Sequence, residues 1–254
     1  MKATARFHLG VDLGQANDWT ALVVAETYEE EATEEGLPAG VPPRRARGPA
    51  QTGTVLHVRE IARTREMSYV EIGCRIRALV EREELTSTYP ANRLYDSKVL
   101  VKDEVKIPPS VAVDSTGVGR GVVDILRSMG VEFTPVTITS GHTQGTRPGG
   151  YKTVPKPDLI WSMVAAMQSG WIKIAPGLEH ADALRDELLN YRLKVNINTG
   201  YTGFEPLREK EHDDLVLALG MCLYSAVPKD KGKMLHGLYT MPATAHPYGI
   251  LGNL

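Results

Sequence analysis

Residues 7–28 read FHLGVDLGQANDWTALVVAETY. Phe7 to Leu13 is an apolar run interrupted by one carboxylate, Asp12, and reads as a buried strand. Gly14 to Asp18 supplies turn residues. Thr20 to Tyr28 is rich in β-branched and small apolar residues and reads as a second strand. The pair predicts a hairpin at the start of a sheet. Asp12 is its anomaly, because an unpaired carboxylate in a buried strand is costly and needs a partner or a cation.

Outward from this hairpin, residues 29–53 are rich in Glu, Pro, Gly and Arg without an apolar period, and read as a long tip or insertion. Its basic half carries Arg44, Arg45 and Arg47. Thr54 to Ala62 reads as a third strand. Ser68 is a candidate cap for a helix reaching about Glu84, with Val70, Cys74, Ile76, Leu79 and Val80 as its apolar face. Residues 86–109 are irregular. Ser110 to Asp114 (SVAVD) is a short strand, followed by a glycine-rich turn (Gly117, Gly119, Gly121) and a helix ending near Gly130. Val131 to Thr139 is another strand, and residues 140–156 a polar loop. Helices are expected over Pro157–Ser169, Glu179–Tyr191 and His212–Ala226, a short strand at Trp171–Ile174, and turns or a hairpin at Asn198–Pro206. Three strands, then helix, strand, helix, strand and mainly helices, predict an α/β sheet with a meander at one edge. Residues 228–254, with many Gly and Pro, are expected to be an irregular tail after a domain over residues 1–227.

The bulk properties are compatible with a soluble single domain. The 254 residues are 42% hydrophobic and 24% charged, with net charge −2, which argues against bulk electrostatic attraction to nucleic acid but does not exclude a local basic face. The two cysteines, Cys74 and Cys222, sit in apolar periodic stretches and read as buried free thiols. The start lacks a signal-peptide pattern. Leu215 to Val227 is too short to span a bilayer, so no membrane role is expected.

Three acidic positions carry the chemistry. Asp12 lies in the first strand. Asp114 ends a later strand, where open α/β sheets place ligands. Asp213 and Asp214 open the last helix, and the ordinary role of such residues is capping. If these ends converge, they provide oxygen ligands for two hard divalent cations, a set suited to phosphodiester hydrolysis. Lys152 and Lys156 are candidates for holding a phosphate, and His212 for an outer-sphere ligand or proton shuttle; solvated loop residues are the plainer alternative. Arg120 and Arg147 are candidate DNA-backbone contacts. The three glycines of the GVGRG turn need only serve tight turning, and Asp18 needs only to form a turn. Trp19, Trp161 and Trp171 read as packing residues.

The segments HLGVDLGQANDWTALVV, VAVDSTGVGRGVVDIL, VPKPDLIWSMVAAMQSGWIKI and EHDDLVLALG together resemble, in order, the nuclease domain of phage terminase large subunits. The first segment is common to many RNase H-like proteins; the HDDLVLAL helix start with the Lys-Pro-Asp-Leu helix and the Trp-Ile-Lys-Ile strand is more specific. The resemblance implies an RNase H-like mixed sheet with an antiparallel meander and flanking helices. It implies an endonuclease that cuts concatemeric double-stranded DNA during genome packaging in the infected bacterial cytoplasm. By it, Asp12, Asp114 and Asp214 bind two Mg²⁺ or Mn²⁺ ions, with Asp213 an additional or alternative ligand. Partners implied are an ATPase motor, the portal and the small terminase subunit. The sequence departs from the pattern in having no G-x-x-x-x-G-K-[ST] phosphate loop, so motor activity is not carried over. Three alternatives stay open: a Holliday-junction resolvase of the same fold, an actin- or Hsp70-like ATP-binding protein, and a non-catalytic DNA-binding assembly module whose acids merely cap and pair.

Overall fold

The computed structural model describes residues 6–14, 18–29, 54–90, 104–117, 119–141, 143–195, 202–206 and 212–227. The expected insertion at 30–53 and the expected tail at 228–254 lie outside them.

Strands β1 (Arg6–Asp12), β2 (Thr20–Glu29) and β3 (Thr54–Thr64) form the expected antiparallel meander. Strand β6 (Ser110–Asp114) then pairs parallel to β1, β7 (Thr134–Thr139) parallel to β6, and β9 (Lys152–Pro155) parallel to β7. Strand β10 (Ile172–Ile174) closes the other edge beside β3, and β8 (Gly145–Thr146) lies outside β9. The sheet order is β10-β3-β2-β1-β6-β7-β9-β8. Two small hairpins stand apart: β4 (Ser87–Pro90) with β5 (Glu104–Ile107), and β11 (Tyr191–Val195) with β12 (Thr202–Pro206).

The alternation of β1 divides the core. Leu9 and Val11 face helices α1 (Tyr69–Val80) and α2 (Gly119–Ser128), where they pack with Ile72, Ile76, Val122 and Leu126. The opposite face carries α3 (Lys156–Gln168), α4 (Ala181–Leu189) and α5 (Asp214–Ala226). Helix α5 is buried from Asp214 through Leu223. It lies so close to β1 that a Cβ on Gly10 would fall on the backbone of Ala218 and Cys222, so only glycine fits there. Cys222 Sγ, one turn on, approaches the carbonyl oxygen of His8 at 3.5 Å. The helix therefore runs antiparallel to β1, and its N-terminus falls beside Asp12.

Several local expectations are corrected. Cys222 is buried, but Cys74 is exposed, as is Val70. The buried stripe of α1 runs through Ile72, Ile76 and Leu79, and residues two positions away lie about 200° round the helix. Ser68 does cap α1, in a reciprocal box with Glu71. The polar loop at 140–156 contains β8 and β9, whose four residues KTVP are too short for a readable period. The segment 86–109 includes the β4–β5 pair. Tyr191 begins β11 instead of ending a helix. Trp171 is buried, with Trp19 and Trp161 partly so.

His8 shares the α5 face of β1. It is buried, and Nε2 meets Thr27 Oγ1 at 2.9 Å. Burial first, and the Arg6 charge second, lower its pKa to about 4. The unfolded chain takes up this proton from about pH 6.5, so His8 contributes fully to stability above that value. The contribution is lost as pH falls through the interval down to about 4. Thermal denaturation between pH 7 and 4 should show a smaller acid-induced loss in His8→Gln than in the unsubstituted protein. The difference is expected to reach at most about 3 kcal/mol; parallel curves would contradict this role for His8.

Candidate active site

The sheet register builds a polar row at one end of the α5 face. Asp12 pairs with Ala21 across β2, and Ala21 with Arg63 across β3. On the other side Val11 pairs with Val113, so the next residues, Asp12 and Asp114, end neighbouring parallel strands in step. Both carboxyls are buried. Thr116 fixes Asp114 from the strand-to-helix turn, with its backbone N–H at 2.8 Å and its hydroxyl at 2.6 Å from Oδ1. The close turn requires Gly119, since a Cβ there would meet the Asp114 carbonyl oxygen. Tight turning thus explains this glycine without a phosphate.

The start of α5 brings two more carboxylates. Asp213 Oδ2 accepts from Lys156 Nζ at 2.6 Å and from the Tyr191 hydroxyl at 2.7 Å. Asp214 Oδ2 accepts from Arg63 Nη2 at 2.8 Å, and His212 Nδ1 lies 3.7 Å from it. Neither aspartate caps the helix: Asp213 makes no side-chain capping bond. Glu187 of α4 does so instead, its Oε2 accepting from the N–H groups of Leu215 (3.0 Å) and Val216 (3.2 Å). These are the second and third helical positions, the donors that an N-cap side chain ordinarily takes. Capping, the ordinary role for an acidic pair at a helix start, is thus supplied from another element.

The electrostatics follow from the crowding. Burial first, then the charges of Asp114, Asp214 and Asp213, push the Asp12 carboxyl well above its usual range, with Lys156 opposing. Burial also raises Asp114, while bonds from Thr116 and Asp12 act the other way. Asp214 is raised by burial and lowered by Arg63. Glu187 rises to about 7 through burial, with Arg63 opposing. Five carboxyls thus meet two basic side chains, Arg63 and Lys156. Such a set is unfavourable on its own and is relieved by an added positive charge.

Its donors are all carboxylate oxygens on the aspartates, a composition suited to hard divalent ions. Among the described residues, no three His, Cys, Asp or Glu side chains are drawn to the spacing that encloses one ion. Asp213 and Asp214 each turn an oxygen to a cation instead. The donor chemistry and the excess of acid fit Mg²⁺ or Mn²⁺.

Of the residues singled out in the sequence, Asp12, Asp114, Asp213, Asp214, His212 and Lys156 come together here. Lys152 does not join them by any bond it makes: it donates to Thr146 Oγ1 on the outer strand at 2.8 Å. Arg147 lies exposed near that edge, Arg120 is exposed in the first turn of α2, and Asp18 is exposed at the hairpin turn. Sequence reasoning missed Arg63, Thr116, Glu187 and Tyr191. Thr116 was open to inspection as the hydroxyl two residues after Asp114; the other three depend on long-range pairing. Arg63 and Arg65 also flank the Trp19 ring, at 4.7 and 4.0 Å from its centroid. A cavity of about 980 Å³ lies elsewhere, at the opposite strand ends, among Ser110, Thr134, Arg127 and Tyr224, and none of the four aspartates lines it.

The mixed sheet, its order and its helices define an RNase H-like fold. The structure is similar to that of the large terminase nuclease from thermophilic phage G20c, with a TM-score of 0.51, 16% identity, and 87% of this chain and 82% of that chain covered. A weaker likeness is to the large terminase nuclease domain from bacteriophage SPP1 with bound Mn, with a TM-score of 0.39, 13% identity and 87% of each chain covered. No family model and no curated protein matches the sequence.

The acid crowding has a measurable consequence. At pH 8 with EDTA, Asp12→Asn should raise the melting temperature by about 2–6 °C, because it removes a buried charge from a repulsive group. Calorimetry showing a lower melting temperature would mean that the carboxylates are not in mutual conflict.

Proposed function

We propose that the chain is a metal-dependent endonuclease that hydrolyses double-stranded DNA, in the manner of the terminase nuclease whose fold it shares. The observation that carries this reading is the convergence of Asp12, Asp114, Asp213 and Asp214 from two strand ends and one helix start. Their failure to cap α5, which Glu187 does instead, favours a site over an assembly module with structural acids. The nuclease unit is residues 1–227.

Asp12, Asp114 and Asp214 hold two Mg²⁺ or Mn²⁺ ions in this reading. Bound there, these would supply an activated water and neutralise charge at the leaving 3′ oxygen. Asp213 serves chiefly to hold Lys156, whose side chain is 30% exposed and whose charge acts on Asp12. Lys156 contacts a non-bridging oxygen of the scissile phosphate and stabilises the charge that builds there. His212, beside Asp214 and within 3.2 Å of Arg65 Nη2, orients the metal-binding carboxylate. Arg120, Arg147 and Lys152 offer DNA-backbone contacts further out. Binding is dominated by the phosphates, so cutting shows weak sequence preference. In the phage setting, the substrate is concatemeric DNA in the host cytoplasm, delivered by an ATPase motor with the portal and small terminase subunit.

Supercoiled plasmid incubated with the purified protein should be nicked and linearised with Mn²⁺ or Mg²⁺ and remain intact with EDTA. Asp12→Asn and Asp114→Asn should each abolish cutting while keeping the native circular dichroism spectrum. Lys156→Ala should lower kcat by about 10²–10³-fold. Cutting that persists in EDTA, or in both aspartate variants, would contradict this function.

A further inference from the structure

The start of α5 is held by an unusual division of labour. Its own N-cap residue, Asp213, is turned to Lys156 and Tyr191, and its first residue, Asp214, to Arg63. The cap comes from Glu187, 28 residues before Leu215 in the chain. One oxygen, Oε2, closes the first turn of the helix, and the other, Oε1, lies 3.1 Å from Arg63 Nη2. That same nitrogen is the one bound to Asp214. The side chains of Glu187 and Arg63 are only 8% and 12% exposed, so this arrangement is fixed within the core and not on a mobile surface. Neither group belongs to the metal-ligand set inferred above.

We propose that Glu187 is the positioning residue of the site: by capping α5 from α4 and sharing Arg63 with Asp214, it releases Asp213 from capping, so that Asp213 bonds Lys156 and Tyr191 and Asp214 bonds Arg63, both beside Asp12. Deleting its carboxylate leaves the Leu215 and Val216 N–H groups unpaired inside the protein. The nearest substitute is Asp213 at the N-cap position, which then turns back to serve as an ordinary cap. Arg63, freed of Glu187, draws wholly onto Asp214. Both movements take carboxylate oxygens out of the cluster. The proposal rests on the nuclease reading for its effect on cutting, but its structural core does not.

The test uses Glu187→Ala and Glu187→Gln in the full chain. Hydrogen exchange of the Leu215 and Val216 amides reads the cap directly, without metal or DNA. Glu187→Ala should speed their exchange at least tenfold, beyond any change in the α5 interior. Glu187→Gln retains an acceptor oxygen and should keep protection within about threefold. In plasmid cleavage, Glu187→Ala should lower kcat by about 10–100-fold, with the KM for DNA within twofold, and Glu187→Gln should recover most of that loss. A buried structural residue would instead change the melting temperature and leave kcat intact below it. Unchanged amide exchange in Glu187→Ala overturns the proposal, as does faster exchange accompanied by full kcat. If Glu187→Ala does not fold, unprotected Leu215 and Val216 amides in folded Glu187→Gln overturn it too, and retained protection there supports it. If the amides respond as expected but the unsubstituted protein never cuts DNA, the positioning of the turn stands and the nuclease reading fails.

Discussion

Helix α5 lies directly on β1, with Gly10 beneath Ala218 and Cys222. That close approach sets everything at the site. A helix held at backbone contact distance can neither slide nor rotate without collision, so its N-terminal turn has one place to be. Because α5 runs antiparallel to β1, this place is beside Asp12. The parallel pairing of β6 with β1 then adds Asp114, and the antiparallel meander adds Arg63 from the other side. Four elements far apart in sequence deliver charge to one point because the sheet register leaves them no alternative.

The resulting cluster is poor for stability. Burial raises the pKa values of Asp12, Asp114 and Asp214, and the mutual repulsion is only partly offset by Arg63 and Lys156. Local conflict of this kind inside an otherwise consistent core is what a working site looks like. Elsewhere among the described residues, α1 has a full capping box, β1 alternates between two apolar layers, and α5 is apolar from Leu215 through Leu223.

Much of this was legible in the sequence. The meander, the later parallel strands and the last helix follow from apolar runs long enough to show a period. Asp12 stood out because the run around it was otherwise apolar, and Asp114 because it ended a strand before a glycine turn. What was not legible depends on partners distant in the chain. Glu187 occupies a helical position like any other acid until its neighbour is known to be the start of α5. Arg63 sits at the end of a strand, where a cation is unremarkable, until the register sets it in line with Asp12 across Ala21 of β2. Strand β9 is four residues long and supported by β7, not by its own pattern. Cys74 was misplaced because an apolar-looking residue two positions off the true stripe of α1 points outward.

In the proposed function, Asp12, Asp114 and Asp214 hold two divalent ions while Asp213 holds Lys156. Crystals soaked in Mn²⁺ and measured at the manganese absorption edge test this ion binding most directly. Anomalous density is predicted between Asp12, Asp114 and Asp214, as two peaks about 4 Å apart, with Asp213 still bound to Lys156. Anomalous peaks confined to other parts of the surface, with the cluster empty at saturating Mn²⁺, would contradict the account.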